Sequence, residues 1–445
     1  MRILLVAYDF PPIPSPQALR WAYLVRELAL AGHEVHVLAP DVNGYGAGQL
    51  PELPASVVVH RSSAGPVTGF LVARQRANRE RLAAAKSNEC GAATEAGNAP
   101  LNPTMQGMTA APALNWKGRA FERVNEFLGW ILYPDLRAEW RLPARRVLSR
   151  LLRDIRPDVV ISSHEPPVSI PLGLHARRKG FKWIADLGDP VLAPYTPDRW
   201  RGKAMRLERA LCDKADLVTV TSDAALTTLQ QRHGLSRDKA MVLTQGYDHR
   251  FEHGAAGVPF DPHLLELVYT GSFYAFRRPE MLLDAVSGTP GVRLTIATSK
   301  PPQSLVDYAR SHPHSIRLLG FIGHRDALHL QRNADLLVNL ANADSVQVPG
   351  KVYEYLGAPA PILHIGDDPN DAAAAMLHEL GAGWAVGATQ DDIASLLRHL
   401  VEVKQRTGRL VRSGGADALV ESKYSWSSLA ATLAAACRRL ATDPR

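Results

Sequence analysis

The residue types best suited to chemistry in this chain fall close together in Pro349-Gly350-Lys351 and in Glu354, three residues further on. The flanking segments are apolar runs typical of buried parallel strands. Pro349 and Gly350 mark a turn, so we predict that a helix begins near Lys351 and directs unpaired N–H groups into the crevice at the carboxyl end of the sheet. Phosphate binds well at such a position. Glu354, one turn into the helix, can accept two hydrogen bonds from a vicinal diol such as a ribose, which makes the stretch typical of a nucleotide site.

A simpler interpretation of the same stretch stays open. Val352, Tyr355 and Leu356 could be core residues of an ordinary helix, with Glu354 a solvated charge.

The surrounding pattern is α/β. The apolar runs 335–340 and 362–365 place the stretch in a strand–helix–strand step, and a second such step opens the chain, with a strand ending near Asp9, a helix over 17–31 and a strand over 34–38. Two further strands, 159–163 and 182–186, lead into polar loops. Because the carboxyl ends of parallel strands share one sheet edge, His164 in the first loop and Asp189 in the second are expected to face the same cleft.

A pair of arginines, Arg277 and Arg278, follows the strand 267–270 and the turn Gly271-Ser272. A guanidinium gives paired hydrogen bonds to phosphate oxygens, so this position suits a diphosphate. Two solvated arginines at the start of a helix are the plainer alternative.

Composition limits the class of protein. The 445 residues, 46% hydrophobic and 21% charged, suffice for two globular domains. We expect neither a leader peptide nor a membrane-spanning run. Three scattered cysteines argue against a disulfide framework or zinc site and fit a reducing cytoplasm. The net charge of +7 suits an acidic partner without naming one.

Two segments stand apart from this pattern. Residues from about 86 to 113 contain no aromatic residue and few large apolar ones, so we predict a disordered insertion. A helical pattern over 116–133 and another from Leu142 follow it, with arginines throughout residues 137–153. These helices either meet anionic lipid or, more simply, cover the sheet with a solvated basic face.

Taken together, the motifs resemble those of family 4 retaining glycosyltransferases of the GT-B fold. The resemblance lies in Pro349-x-Lys351-x-Tyr353-Glu354-Tyr355-Leu356, in the Pro11-Pro12 turn with Arg20 and Gly32-His33-Glu34-Val35, and in Gln245-Gly246-Tyr247-Asp248. It covers nearly the whole chain apart from the insertion. It implies two Rossmann-like domains facing across a cleft: an acceptor domain at 1–252, a nucleotide-sugar domain at 263–421, and a C-terminal helix within 422–445 that crosses back to the first domain.

The resemblance also implies roles for residues at matching positions. The implied donor-binding residues are Gly271, Ser272, Arg277, Arg278, Gly323, Pro349, Gly350, Lys351 and Glu354. The implied catalytic residues are Asp189, His164, Arg277 and Arg278, and the implied acceptor-binding residues are Pro12 and Arg20.

The chain departs from the family pattern at four places. It has Ser15-Pro16 where the family often has two glycines, Gly188 where a polar side chain is common, Ser272 where an arginine is common, and Val346 where the first of two glutamates is expected.

The implied function is transfer of a sugar, with retention, from a nucleotide-diphosphate donor to a glycan or lipid-linked acceptor in bacterial surface polysaccharide synthesis. No cofactor or metal is expected, and nucleic acid is not an expected partner. The expected location is the cytoplasm, with possible peripheral contact with an anionic membrane. Two alternatives stay open: a nucleotide-sugar epimerase or hydrolase of the same fold, and a non-catalytic nucleotide-sugar-binding protein.

Overall fold

The computed structural model describes residues 1–13, 15–43, 50–90, 133–194, 196–252, 254, 257–273, 279–342 and 347–443, with 79 and 82–90 described by their backbone. These residues form two parallel sheets, one of seven strands and one of six. Among them, no helix combines the length and the apolar character needed to cross a bilayer.

The first sheet has the strand order β3-β2-β1-β4-β5-β6-β7, with every neighbouring pair parallel. Its strands are β1 (Arg2–Val6), β2 (Glu34–Asp41), β3 (Val58–Ser63), β4 (Val159–Ser163), β5 (Lys182–Leu187), β6 (Leu217–Val220) and β7 (Ala240–Val242). The helices of this half are α1 (Pro16–Leu30), α2 (Pro66–Cys90), α3 (Arg141–Asp154), α4 (Ile170–Arg178), α5 (Asp198–Lys214) and α6 (Asp223–His233).

The second sheet has the order β10-β9-β8-β11-β12-β13 and is also parallel. Its strands are β8 (Leu265–Thr270), β9 (Val292–Ala297), β10 (Ile316–Gly320), β11 (Leu336–Leu340), β12 (Ile362–Ile365) and β13 (Gly383–Val386). The helices that follow the first domain are α7 (Glu280–Ser287), α8 (Gln303–Ser311), α9 (His324–Arg332), α10 (Gly350–Tyr355), α11 (Ala372–Leu380), α12 (Gln390–Thr407), α13 (Ala416–Tyr424) and α14 (Trp426–Thr442).

Helices on both faces explain why the central strands are buried throughout. Every residue of β4 and of β11 is buried, because each face of a doubly covered strand packs against a helix layer. The order of each sheet reverses at its first strand, between β1 and β4 and between β8 and β11. Ligands bind at such switch points in open α/β sheets. A ligand site is therefore expected at the carboxyl edge of each of the two sheets.

The C-terminal helix α14 packs on the first domain. Trp426, Leu429 and Leu433 share a buried apolar cluster with Trp21 and Leu24 of α1. Contacts of this kind, distant in sequence, hold the two halves together by burial of apolar surface. The predicted fold, with two Rossmann-like domains and a returning C-terminal helix, is confirmed.

The structure differs from the sequence-based expectations in the extent of two helices. Helix α2 continues to Cys90, so residues 86–90 of the predicted insertion are helical. The sequence there follows an alanine run, which has high helix propensity. Residues 91–113, and the helical pattern over 116–132, lie outside the described residues. The predicted helix at Lys351 is present as α10, but it has only six residues.

Candidate active site

The switch points face each other across an interdomain cleft of about 540 Å³. The first domain contributes residues from α1 and from the loops after β4, β5 and β7. The second contributes the turn after β8, the start of α9 and the segment 347–354. A cavity between two domains at the carboxyl ends of parallel strands is where α/β proteins hold small ligands.

The second-domain wall contains most of the predicted donor residues. Gly271, Ser272, Pro349, Gly350 and Lys351 all line the cleft. Gly271 has φ +121°, a backbone conformation that favours glycine and turns the chain sharply after β8.

Lys351 belongs to the first turn of α10, and its side chain lies beside the turn at Gly271. Its ammonium is 3.8 Å from the centroid of the Tyr269 ring, a cation–π distance. Because α10 is so short, its dipole adds little, and Lys351 is the charge that this helix brings to an anionic ligand.

Glu354 also lines the cleft, with its side chain 26% exposed. The Gln331 amide donates to Glu354 Oε1 at 2.6 Å, and His324 Nδ1 lies 3.6 Å from Oε2. Gln331 is itself buried and fixed by Thr270 Oγ1 at 3.0 Å. The carboxylate is therefore held in position but keeps an open side. Another predicted donor residue, Gly323, precedes His324 but is not among the lining residues. The predicted donor residues Arg277 and Arg278 lie outside the described residues, as does Val346.

The first-domain wall is built on a buried ion pair. The Arg20 guanidinium is fully buried and donates from Nη1 to the Asp186 oxygens at 2.9 and 2.8 Å. Its Nη2 donates to the Leu243 carbonyl at 2.7 Å. Thr219 Oγ1 and Gln17 Nε2 also donate to Asp186, at 2.7 and 3.1 Å. Arg20 lines the cleft, yet its charge is already neutralised inside the protein.

The remaining first-domain predictions differ in position. Asp189 lines the cleft, and Gln347 of the second domain donates to its Oδ1 at 3.3 Å, so the two walls meet there. His164 lies behind the lining residues and is buried. Burial lowers the pKa of His164 to about 4, which keeps the ring neutral near pH 7. Pro12 is exposed and does not line the cleft, whereas Pro16 does.

The sequence interpretation overlooked Glu165, which lines the cleft beside Asp189. Burial, followed by the carboxylates of Asp189, Asp9 and Asp186, raises the pKa of Glu165 to about 7. A Cβ atom on Gly188 would lie 2.2 Å from Glu165 Oε1. The glycine therefore makes room for this carboxyl group. The glycine at position 188, where a polar side chain is common in the resembled family, was the sequence signal that could have indicated Glu165.

In the described part of the chain, no cluster of three or more His, Cys, Asp and Glu side chains could hold a metal ion. The arrangement can bind a phosphorylated ligand against Lys351, a diol against Glu354, and a second ligand on the first-domain wall.

Comparison with known proteins finds similarity to glycosyltransferases. Residues 109–251 match the model of Glycosyltransferase Family 4. This segment of the first domain is therefore similar to that family. The chain is 25% identical over 248 residues to D-inositol 3-phosphate glycosyltransferase of Mycobacterium tuberculosis (strain ATCC 25618 / H37Rv), which covers 52% of this chain and 50% of the relative. It thus spans about half the length of the curated relatives that it matches.

Solved structures show the same GT-B fold over almost the whole chain. WaaG, a glycosyltransferase involved in lipopolysaccharide biosynthesis, superposes with a TM-score of 0.54 at 11% identity, covering 99% of this chain and 100% of WaaG. An E. coli trehalose-6-phosphate structure bound with UDP-2-fluoro glucose gives 0.57 at 11% identity, covering 100% and 99%. At such identities the likeness establishes the fold alone.

Proposed function

We propose that this protein is a family 4 glycosyltransferase that moves a sugar from a nucleotide-diphosphate donor to a hydroxyl group of a glycan or lipid-linked acceptor, with retention of configuration. The observation that carries the proposal is the pairing of two walls in one cleft. Lys351 and Glu354 of the second domain face Glu165 and Asp189 of the first, so a charged donor and a separate acceptor can meet between them.

The donor half is assigned by the chemistry of its side chains. A diphosphate leaving group gains charge as the glycosidic bond breaks, and Lys351, with Arg277 and Arg278 by sequence position, would stabilise that charge. The Glu354 carboxylate would accept from the ribose hydroxyls. A GT-B neighbour bound with UDP-2-fluoro glucose supports a uridine nucleotide as the first donor to test.

Retention would follow if the acceptor attacks from the face that the diphosphate leaves. The leaving phosphate oxygen then takes the acceptor proton, and the protein supplies position and charge rather than a base. Anomeric analysis of the product by NMR tests this directly, and an inverted product would overturn it.

The setting that we propose is synthesis of bacterial surface polysaccharide at the inner face of the cytoplasmic membrane. WaaG, named for lipopolysaccharide biosynthesis, supports the first part. Contact with the membrane is supported by a concave basic surface on the first domain. This surface is a cavity of about 220 Å³ lined by Arg141, Arg145 and Arg178, next to the exposed Leu142. Anionic lipid attracts such a surface. Co-sedimentation with phosphatidylglycerol vesicles, compared with phosphatidylcholine vesicles, checks the contact; equal partitioning would refute it.

The central experiment measures donor binding and turnover separately. Thermal-shift screening against nucleoside diphosphates identifies the base, and mass spectrometry of reactions with the matching nucleotide sugars detects transfer. Arg278→Ala should weaken binding of the nucleoside diphosphate more than that of the nucleoside, because the lost contact is to phosphate. A nucleotide sugar that is epimerised or hydrolysed without acceptor would favour an epimerase or hydrolase, and binding without any turnover would favour the non-catalytic alternative.

A further inference from the structure

The segment that leads into α1 offers few backbone donors to a phosphate. Four of the six residues from 11 to 16, which lead into α1, are prolines and have no N–H group. Of the others, Ile13 donates its N–H to the Phe10 carbonyl at 3.1 Å. The Ser15 hydroxyl accepts from the Ala18 N–H at 3.0 Å and so caps the helix internally. This end of the cleft has little left to offer an anion.

Positive side chains are equally scarce on that wall. Among the described first-domain residues that line the cleft, Arg20 is the one cation, and Asp186 neutralises it through both carboxylate oxygens. Arg137 stands nearby, 3.8 Å from Asp9, but it is paired with Asp135 at 2.8 Å. Among the described lining residues, Lys351 is the other basic side chain of this kind, and it lies on the second-domain wall.

The same wall presents a carboxyl group that has no internal partner. Glu165 makes no hydrogen bond or ion pair with any other described residue. Burial and the carboxylates of Asp189, Asp9 and Asp186 disfavour its ionisation, and they outweigh the opposite effect of Arg20, which is paired with Asp186. Burying a carboxylate among other carboxylates is costly unless a positive charge compensates it. A cationic group on the ligand would supply that compensation.

We propose that the first-domain wall accepts a sugar or cyclitol bearing a protonated amino group, with the Glu165 carboxylate as the partner of that amine, and that it disfavours acceptors bearing phosphate. The proposal rests on the proposed function, because it names the acceptor class of the same cleft. Glu165 is a specificity-determining residue here, and the accepting hydroxyl belongs to a neighbouring carbon of the same ligand. An ammonium and a carboxylate in a partly buried site form a charge-assisted hydrogen bond, which a neutral hydroxyl cannot match.

The test measures acceptor binding by NMR titration at pH 8, with the protein saturated by the nucleoside diphosphate that stabilises it most. The probes are amino-deoxyglucoses carrying the amine at different carbons, glucose, and glucose 6-phosphate. At this pH Glu165 is largely ionised. The amine of an amino sugar, about as basic as an α-amino group, is partly protonated in solution, and a facing carboxylate favours its protonated form. We expect at least one amino sugar to bind about tenfold more tightly than glucose, and the phosphate to bind more weakly than glucose.

Two variants separate the charge of Glu165 from its position. Glu165→Gln removes the charge and should abolish the amine preference while leaving glucose binding within about twofold. Gly188→Ala keeps the charge but places a Cβ 2.2 Å from Oε1, so it should displace the carboxyl group and give the same loss. Glu379→Gln, which removes an exposed carboxylate paired with Lys423, is the matched control and should change nothing.

Each other outcome overturns the proposal. Tightest binding of glucose 6-phosphate, or an amine preference that survives Glu165→Gln, would show that Glu165 does not select the acceptor; so would the absence of any amine preference. Donor binding is read on the same samples. If no nucleoside diphosphate stabilises the protein, the proposed function itself fails; if the nucleotide binds while the amine preference is absent, the acceptor assignment alone is wrong.

Discussion

Replacing Arg20 by methionine tests whether this residue supports the cleft from within or contacts the acceptor. The side chain is 0% exposed, and it makes three hydrogen bonds, two to the Asp186 carboxylate and one to the Leu243 carbonyl. Methionine fills a similar volume without charge. Asp186 would keep Thr219 and Gln17 as donors, but its negative charge would be buried without a counter-charge.

The expected loss follows from that uncompensated charge. Removing one partner of a buried ion pair costs about 3–5 kcal/mol, most of it the penalty on the charge left behind. The additional Asp186→Leu substitution should recover part of that loss, because it removes the buried charge as well. Chemical denaturation followed by circular dichroism measures the free energy of unfolding of each variant.

A matched control and an opposite outcome complete the experiment. Arg310→Met removes an arginine that is 62% exposed and pairs with the exposed Asp307, so the expected change is within about 0.5 kcal/mol. If Arg20→Met lost less than about 1 kcal/mol of stability but abolished acceptor binding, the guanidinium would act on the ligand and the internal pairing described above would not be its main role.

Three further predictions concern the cleft. Glu354→Gln should weaken donor binding by about 1.5–3 kcal/mol in calorimetry. It should add little to the loss caused by a 2′,3′-dideoxy nucleotide, because both changes remove the same contact, and additive losses would refute the ribose assignment. The pKa of Glu165 is about 7 in the folded protein against an ordinary 4.5, so its contribution to stability is lost as pH rises between these values. Glu165→Gln should therefore be more stable than the parent by about 1–3 kcal/mol at pH 8 but not at pH 4. Denaturation measured across this pH range would contradict the prediction if the difference between the two proteins were constant. His164 has a lowered pKa of about 4, so the parent should lose stability as pH falls from 6.5 to 4, and His164→Gln should flatten that limb of the profile; an unchanged limb would mean that another group controls it.

The sequence predicted those features that depend on local pattern. The apolar runs around residues 336–340 and 362–365 are buried on both faces, and such strands are recognisable without knowing their neighbours. The turn at Pro349-Gly350 likewise placed Glu354 one turn into a helix, and the structure has it on the cleft wall. Strand β3 was missed because four of its six residues are polar and it lies at the edge of the sheet.

Long-range pairing was beyond the reach of the sequence. Nothing near Arg20 indicates that its partner is Asp186, 166 residues away, so its charge looked available for a ligand. Glu165 was overlooked for a related reason. A glutamate before two prolines resembles an ordinary loop residue, and only the fold brings it against Gly188, where the missing side chain leaves space for its carboxyl group.

The contact between the domains also affects the surroundings of the Glu354 carboxylate. Burial raises the pKa of Tyr23, so its hydroxyl keeps its proton and can donate to His324 Nε2, 3.0 Å away. A neutral His324 then carries its own proton on Nδ1, the atom 3.6 Å from Glu354 Oε2. Because Tyr23 belongs to α1 and stacks on Trp426 of the returning helix, the tautomer of His324 depends on how the first domain sits against the second. Separation of the domains would remove the donor to Nε2 and with it the reason for the proton to face Glu354, so the hydrogen-bonding environment of the Glu354 carboxylate is linked to the width of the cleft.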